Sequence, residues 1–182
     1  LSLLTISLIS IYDVDIKERN IDKTIKQLNL DGSSQNKVFF STEHDSIMIS
    51  ALQIFYENPI FGVGTKMFRV DCEFTPRENG CSTHPHNSYL QLLAETGLIG
   101  ASFMVLLFIT ISLVFIKHLY NLIFSKQTSF NDYQICLLIC LFLTLWPIVP
   151  TQNIFNNWIS VIYYLPVGFI LHSLNHFQSP KK

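Results

Sequence analysis

The second half of the chain consists of long apolar stretches, whereas the first half mixes apolar and polar positions. Three stretches without Asp, Glu, Lys or Arg cover residues 97–116, 133–149 and 158–175. A bilayer core is crossed by about 20 apolar helical residues, so we predict three transmembrane helices. The apolar run 1–12 lacks a basic leader and does not resemble a signal peptide. It is too short to span a bilayer, and we predict the end of a truncated transmembrane helix.

The polar part of the chain, residues 13–96, is predicted to be a long loop that contains amphipathic helices. One helix is predicted to begin at Ser41 or Thr42, either of which can cap its first turn. Apolar residues then recur at helical spacing from Ile47 to Phe55. The pair Asn58-Pro59 is predicted to end this helix, because proline cannot continue it.

A second helix of the loop is predicted to begin near Pro85, since proline suits the first turn of a helix. Leu90, Leu93 and Ala94 follow at helical spacing. The helix is predicted to run directly into the apolar span that starts at Gly97. A polar helix therefore leads directly into the membrane.

The head of this helix carries the candidate chemistry. Asn87, Gln91 and Glu95 are four residues apart and form one polar stripe, and His84 and His86 lie just before it. Ionisable groups at a membrane boundary are costly and are usually functional. We take His86 as the catalytic candidate and the other four residues as candidates for substrate binding. The alternative is that a histidine here only caps the helix.

Composition excludes nucleic acid as a partner and supports a membrane protein. Only 14% of the residues are charged, and the net charge is −1, whereas soluble domains average about 25% charged residues and nucleic-acid-binding domains carry a basic stripe. After residue 97 the basic residues are Lys117, Lys126, Lys181 and Lys182. By the positive-inside rule they place the link 117–132 and the tail 176–182 in the cytoplasm. The loop and the turn 150–157 then face outward.

Cationic side chains follow a two-glycine turn in the loop. Gly62 and Gly64 can form either a plain tight turn or a nest of N–H groups for an anion. Lys66 and Arg69 come next, and Arg77 follows further on. Arg69 is the strongest candidate for a phosphate contact, because a guanidinium group binds phosphate in a bidentate fork.

Two cysteines, Cys72 and Cys81, enclose a polar loop just before the histidines. In an oxidising compartment this pattern predicts a disulfide bond. The alternative is a zinc site built from Cys81 and the two histidines, although no fourth ligand is evident. Cys136 and Cys140 lie in an apolar run and are expected to be small core residues.

Three patches together resemble the O-antigen ligase family. The first is His86-Asn87, nine residues, and then Gly97-Leu98-Ile99-Gly100. The second is the segment 58–64, which reads NPIFGVG, and the third is the segment 146–158. The helix that Ser41 opens often carries an arginine in this family, and His44 occupies the nearest position here. That departure removes one expected phosphate contact.

The resemblance implies an all-α membrane protein: a polytopic transmembrane helix bundle with a long periplasmic loop containing amphipathic helices. It implies residence in the bacterial inner membrane and a site that faces the periplasm. The implied enzyme is a glycosyltransferase that moves a glycan from a polyprenyl-diphosphate carrier to a lipid A-core hydroxyl, without a metal or other cofactor. By position, the family histidine is His86, and Gly62, Gly64, Gly97 and Gly100 are structural. The expected partners are the glycan carrier, the acceptor and membrane lipids.

Other members of the same superfamily remain possible. A polysaccharide polymerase or a protein O-oligosaccharyltransferase differs in its acceptor, which these residues do not identify. A non-catalytic membrane protein that keeps the fold is the third alternative. We expect the chain to be the C-terminal part of a longer protein and to be inactive by itself.

The predicted topology can be tested with alkaline phosphatase fusions, because this enzyme is active only outside the cytoplasm. A fusion after Glu78 should be active, since residues 13–96 are predicted to face outward. A fusion after Ser125 should be inactive, since the link 117–132 carries the lysine bias. The opposite pattern of activities would overturn the orientation and the location of the site.

Overall fold

A computed structural model describes residues 41–76, 79–125 and 130–178, together with Glu18, Asp22 and Ile25. This part of the chain is helical and contains no strand. The helices are α1 (Thr42–Glu57), α2 (Phe68–Asp71), α3 (Ser88–Tyr120), α4 (Asp132–Thr144) and α5 (Asn157–Gln178). A 3₁₀ turn, Cys72–Phe74, follows α2, and a π-helical turn, Asn121–Ser125, continues α3. The predicted segment 1–12, Arg77, Lys126 and the tail lysines lie outside the described residues.

Helix α1 has the bounds that the sequence predicts. Ser41 is its N-cap, and the Ser41 hydroxyl accepts a hydrogen bond from the His44 backbone N–H at 3.3 Å. Asn58 is the C-cap, directly before Pro59. The buried face of the helix packs in one apolar cluster with residues from α2 and α3; its members are Ile47, Ala51, Ile54, Phe68, Cys72 and Ala94. Both cap predictions are confirmed.

Helix α3 begins at Ser88, so the expectation that Pro85 lies in its first turn is wrong. Asn87 is the N-cap, and its side-chain oxygen accepts hydrogen bonds from the backbone N–H groups of Tyr89 and Leu90. His86 has a φ of 56°, in the left-handed region, which cannot be part of a right-handed helix. Pro85 therefore belongs to the turn before the helix.

Helix α3 is interrupted at Gly97, where φ is 64° and ψ is −164°. In an unbroken helix the Leu98 N–H would donate to the Ala94 carbonyl, and the Ile99 N–H would donate to the Glu95 carbonyl. The interruption separates these pairs. Two carbonyl groups and two N–H groups therefore need other partners at the start of the apolar span.

The loop 59–64 supplies these partners, and we call its contact with residues 94–99 the crossing. The carbonyls of Ala94 and Glu95 accept hydrogen bonds from N–H groups of the loop. The N–H groups of Leu98 and Ile99 donate hydrogen bonds to carbonyls of the loop. The four bonds are Val63 N to Ala94 O at 3.0 Å, Gly64 N to Glu95 O at 2.9 Å, Leu98 N to Pro59 O at 2.9 Å, and Ile99 N to Ile60 O at 3.4 Å.

The crossing explains why glycine occupies two of these positions. A Cβ atom on Gly97 would overlap the Ile60 carbonyl, and a Cβ atom on Gly62 would overlap the backbone of Glu95 and Thr96. Both glycines also have positive φ, a conformation that costs other residues about 1–2 kcal/mol. The two backbones can approach this closely only because neither has a side chain here.

The described residues include one helix that is long and apolar enough to cross a membrane. It is α3 with its extension to Ser125. Many of its apolar side chains are exposed, among them Leu98, Phe103, Leu106, Leu113 and Ile116. The surface of a helix that contacts lipid has this character. The predicted number of spans and their orientation stay predictions.

The chain after α3 returns to pack against it. The shared core of α3, α4 and the segments that follow includes Leu92, Ala101, Met104, Ile111, Leu141 and Leu145. Helix α4 ends at Thr144, before the predicted boundary at Val149. Cys136 and Cys140 are exposed on α4, so the expectation that they are core residues is wrong.

The crossing can be tested by adding one methyl group. In the full-length protein in detergent, Gly97→Ala should lower the temperature at which half of the protein aggregates by several degrees. The added Cβ atom would overlap the Ile60 carbonyl, and alanine would have to adopt an unfavourable positive φ. Gly168→Ala is the matched control, since a Cβ atom there has no neighbour within 4 Å. Equal stability of the two variants would contradict the close approach at Gly97.

Candidate functional site

The predicted polar stripe on α3 is buried. Asn87 is 6% exposed, Gln91 is 0% exposed and Glu95 is 1% exposed. Side chains this buried have their polar atoms paired within the protein. The partners of these three residues lie in two loops that are distant in the sequence, so the stripe holds the loops in place.

Asn87 fixes the loop that follows α4. Its side-chain nitrogen donates to the Pro147 carbonyl at 2.7 Å. Nearby, the Thr151 backbone N–H donates to the His86 carbonyl at 2.9 Å, and the hydroxyl groups of Thr151 and Ser88 are 2.7 Å apart. The backbone of His86 is therefore held by residues that lie more than 60 positions away in the chain.

Gln91 fixes the next part of the same loop. Its side-chain nitrogen donates to the Asn153 side-chain oxygen at 2.8 Å and to a Glu95 carboxylate oxygen at 3.3 Å. Its side-chain oxygen accepts from the Ile154 backbone N–H at 3.1 Å. Gln91 thus uses both ends of its amide, and no part of it is left for a substrate.

Glu95 fixes the loop that carries the cations. One carboxylate oxygen accepts from the Lys66 backbone N–H at 2.8 Å, and the other accepts from the Phe68 backbone N–H at 3.2 Å. The N–H groups of Gly62 and Gly64 donate to backbone carbonyls. The glycine turn is therefore not a nest for an external anion, and the group that accepts backbone N–H groups just beyond it is the Glu95 carboxyl.

His86 lines an open cavity of about 310 Å³ that we call the histidine cleft. Its other lining residues are Glu43, His44, Ile47, Asn79, Cys81 and Ser82. The Ser82 hydroxyl lies 3.3 Å from Nε2 of His86. The His44 ring lies 5.2 Å from the His86 ring, and Nδ1 of His44 lies 2.8 Å from the Ser41 hydroxyl. His44 is thus part of this site.

The surroundings of His86 favour its neutral form. Partial burial lowers the pKa of His86 below its ordinary value of 6.5, and the nearby His84 and His44 lower this pKa further. The His84 ring lies 4.2 Å from the His86 ring. A neutral imidazole at neutral pH can accept a proton, which is what a general base requires.

His84 has a different environment from His86. It is 7% exposed and does not line the histidine cleft. Burial lowers the pKa of His84, and the nearby Thr151 backbone carbonyl acts in the opposite direction. Within the part of the chain that the structure describes, Nε2 of His84 has no hydrogen-bond partner. His84 therefore packs beside the His86 ring and outside the cleft lining, where it shapes the surroundings of His86.

Lys66 and Arg69 line a second cavity of about 380 Å³, which we call the basic cleft. Its opposite wall is formed by residues near the start of α5: Asn153, Phe155, Asn156, Asn157 and Trp158. The basic cleft and the histidine cleft share no lining residue. One backbone contact links their walls: the Arg69 carbonyl lies 3.9 Å from Sγ of Cys81, which lines the histidine cleft.

A disulfide bond joins Cys72 and Cys81, as their spacing predicts, with the two Cα atoms 5.0 Å apart. Cys72 is buried, so the bond ties a wall of the histidine cleft to the core of α1 and α2. A disulfide sulfur cannot serve as a thiolate ligand, which removes the zinc site with Cys81. Among the described residues, no group of three His, Cys, Asp or Glu side chains is arranged to hold a metal ion.

Sequence reasoning missed several residues of the two clefts. His44 was noted only as a departure from a family pattern, and Asn153 only as part of a resembling segment. Both lie far from their partners in the sequence, so no helical spacing could have paired them. The signal that was available is the third resembling patch, 146–158, which includes the wall of the basic cleft.

The family assignment agrees with the resemblance. A family model described as O-antigen ligase matches residues 3–105, which is more than half of the chain. No curated protein and no solved structure matches the chain.

The role of Glu95 can be tested by removing its charge. Glu95→Gln should lower the thermal stability of the full-length protein in detergent, because an amide nitrogen would face a backbone N–H of Lys66 or Phe68 and leave it unpaired. A buried donor without a partner costs about 1–3 kcal/mol. The control is Glu73→Gln, which changes an exposed acid. If both variants had the same melting temperature as the parent protein, Glu95 would not be the residue that holds the loop of Lys66 and Phe68.

Proposed function

Because this chain belongs to the O-antigen ligase family, a family of membrane proteins, we propose that it forms the catalytic part of a membrane glycosyltransferase. The reaction moves a glycan from a polyprenyl-diphosphate carrier to an acceptor hydroxyl at the outer face of the inner membrane. Lipid A-core is the proposed acceptor. The observation that carries this proposal is the position of His86. Its surroundings favour the neutral imidazole, and it lies in an open cleft at the head of a helix that is long and apolar enough to cross a membrane.

In this proposal His86 is the general base. The acceptor hydroxyl oxygen attacks the anomeric carbon of the first sugar, and its proton passes to a ring nitrogen of His86. The bond from that carbon to the diphosphate breaks, and the diphosphate leaves with the electron pair. The lowered pKa of His86 supports the role, because the base must be unprotonated before the attack.

Lys66 and Arg69 are proposed to bind the departing diphosphate in the basic cleft. Cations at this position stabilise the negative charge that develops as the bond breaks. The contact between Arg69 and Cys81 places the backbone of one cleft against the wall of the other. We propose that a donor with its diphosphate against Arg69 directs its first sugar toward His86. Arg77, which lies outside the described residues, remains a further candidate for the diphosphate.

The buried stripe has a positioning role in this mechanism. Asn87, Gln91 and Glu95 were predicted to bind substrate, but their polar atoms are engaged with the two loops. We propose that they fix the position of the basic cleft relative to the backbone of His86. They support catalysis without touching the substrate.

The proposal predicts a large loss of activity in His86→Ala. General-base catalysis is worth about 10²–10⁴-fold, so glycan transfer by the full-length variant should fall by about that factor. The control is His84→Ala, which should lose far less, because His84 does not line the histidine cleft. The measurement is transfer from a lipid-diphosphate-linked glycan to lipid A-core, to a growing glycan and to protein. The acceptor that is used identifies the member of the superfamily.

The pH profile of the same reaction provides the second readout. Protonated His86 cannot act as a base, so the transfer rate should fall as the pH drops through a value below 6.5, the ordinary pKa of histidine. His44→Gln removes a neighbour that lowers the pKa of His86, so this fall should move to higher pH. Near-parent transfer by His86→Ala would contradict the role of His86 as the base, and a pH profile unchanged in His44→Gln would contradict the coupling of the two histidines.

A further inference from the structure

Two large apolar side chains are exposed on the loop that forms the crossing. Ile60 is 56% exposed and Phe61 is 75% exposed. Apolar side chains of this size are costly in water when they are adjacent. They need an apolar partner, and the position of the loop on α3 indicates which one.

Hydrogen bonds fix the level of this loop along α3. The carbonyls of Pro59 and Ile60 accept from the N–H groups of Leu98 and Ile99, which are the first residues after the interruption in α3. Leu98 is 55% exposed and Ile99 is 48% exposed. Ile60 and Phe61 therefore lie at the level where the apolar surface of the membrane-crossing helix begins, and they extend that surface sideways.

Part of the backbone of the loop is paired within the protein, which favours contact with lipid. Polar backbone groups cannot face hydrocarbon unless they are paired within the protein. The carbonyls of Asn58, Pro59 and Ile60 accept hydrogen bonds, and the N–H groups from Gly62 to Gly64 donate them. These pairings use the backbone of α3 as well as that of the loop.

The charge pattern points the same way. Residues 58–64 contain no charged residue, and Glu57 and Lys66 lie on either side of them. Phe74 offers a contrast, since it is 81% exposed but follows the acidic residues Asp71 and Glu73. Phe74 lines a small cavity together with the acids Glu57 and Asp71, although Asn58 and Val63 of the loop also line it.

We propose that Ile60 and Phe61 insert into the membrane at the boundary between the headgroups and the acyl chains, with phospholipid as their partner. The loop then lies at the membrane surface beside α3, with these two side chains directed into the lipid. Its next residues, Gly64 to Lys66, lead directly to the basic cleft. The insertion would thus hold Lys66 and Arg69 at the level of the lipid headgroups.

Photocrosslinking in the full-length protein tests this insertion without an activity assay. The photoreactive residue p-benzoylphenylalanine replaces Phe61 or, in a second variant, Ile60, and native membranes are irradiated. Mass spectrometry of the purified protein should show a phospholipid adduct at both positions. The matched control, Phe74→p-benzoylphenylalanine, is at least as exposed and should show no lipid adduct.

Each other outcome overturns the proposal. A crosslink from position 60 or 61 to another part of the protein would show that protein covers the loop. Lipid adducts of equal yield at positions 61 and 74 would show that exposure alone determines the reaction. Absence of any lipid adduct at both 60 and 61 would place the loop in water. None of these results depends on whether the protein transfers a glycan.

Discussion

The architecture depends on four backbone groups that α3 cannot pair by itself. An interrupted helix leaves carbonyl and N–H groups open, and such groups are costly when neither protein nor water pairs with them. The loop 59–64 pairs them, so the loop and the helix hold each other in their observed conformations. Neither Gly62 nor Gly97 could carry a side chain without separating the two backbones. The apolar part of α3 and its polar head are thereby joined through a second segment of the chain.

The polar stripe on α3 extends this arrangement toward the clefts. Its three side chains are spaced four residues apart, and each binds a different backbone or side-chain group of a distant loop. Since Gln91 also donates to Glu95, the wall that carries Asn153 and the wall that carries Lys66 are connected by two neighbouring side chains. A fully paired polar network of this kind favours one arrangement of the parts it connects. The basic cleft owes its shape to residues that do not line it.

The sequence predicted the features that depend on neighbouring residues. The caps of α1, the polar stripe and the Cys72–Cys81 bond follow from spacings of ten residues or fewer. It did not predict the features that depend on distant contacts, such as the loop at Gly97 or the two separate clefts.

The apolar stretches were ambiguous for another reason: side chains that face lipid are as apolar as those in a core. Cys136 and Cys140 were therefore expected inside, although α4 exposes them. The end of α4 at Thr144 reflects contacts of Leu145 and Pro147 with the head of α3.

The disulfide bond makes the histidine cleft sensitive to the direction in which the chain is inserted. Cys81 forms part of the cleft, and its covalent bond to Cys72 ties that wall to the buried cluster that includes residues of α1. The bond forms in an oxidising compartment and is rare in a reducing cytosol. A molecule inserted with its loop on the reducing side would keep both thiols and would lack this attachment. Under the proposed orientation, maturation of the site is tied to translocation of the loop, and a copy of the opposite orientation would lack the covalent attachment of this cleft wall.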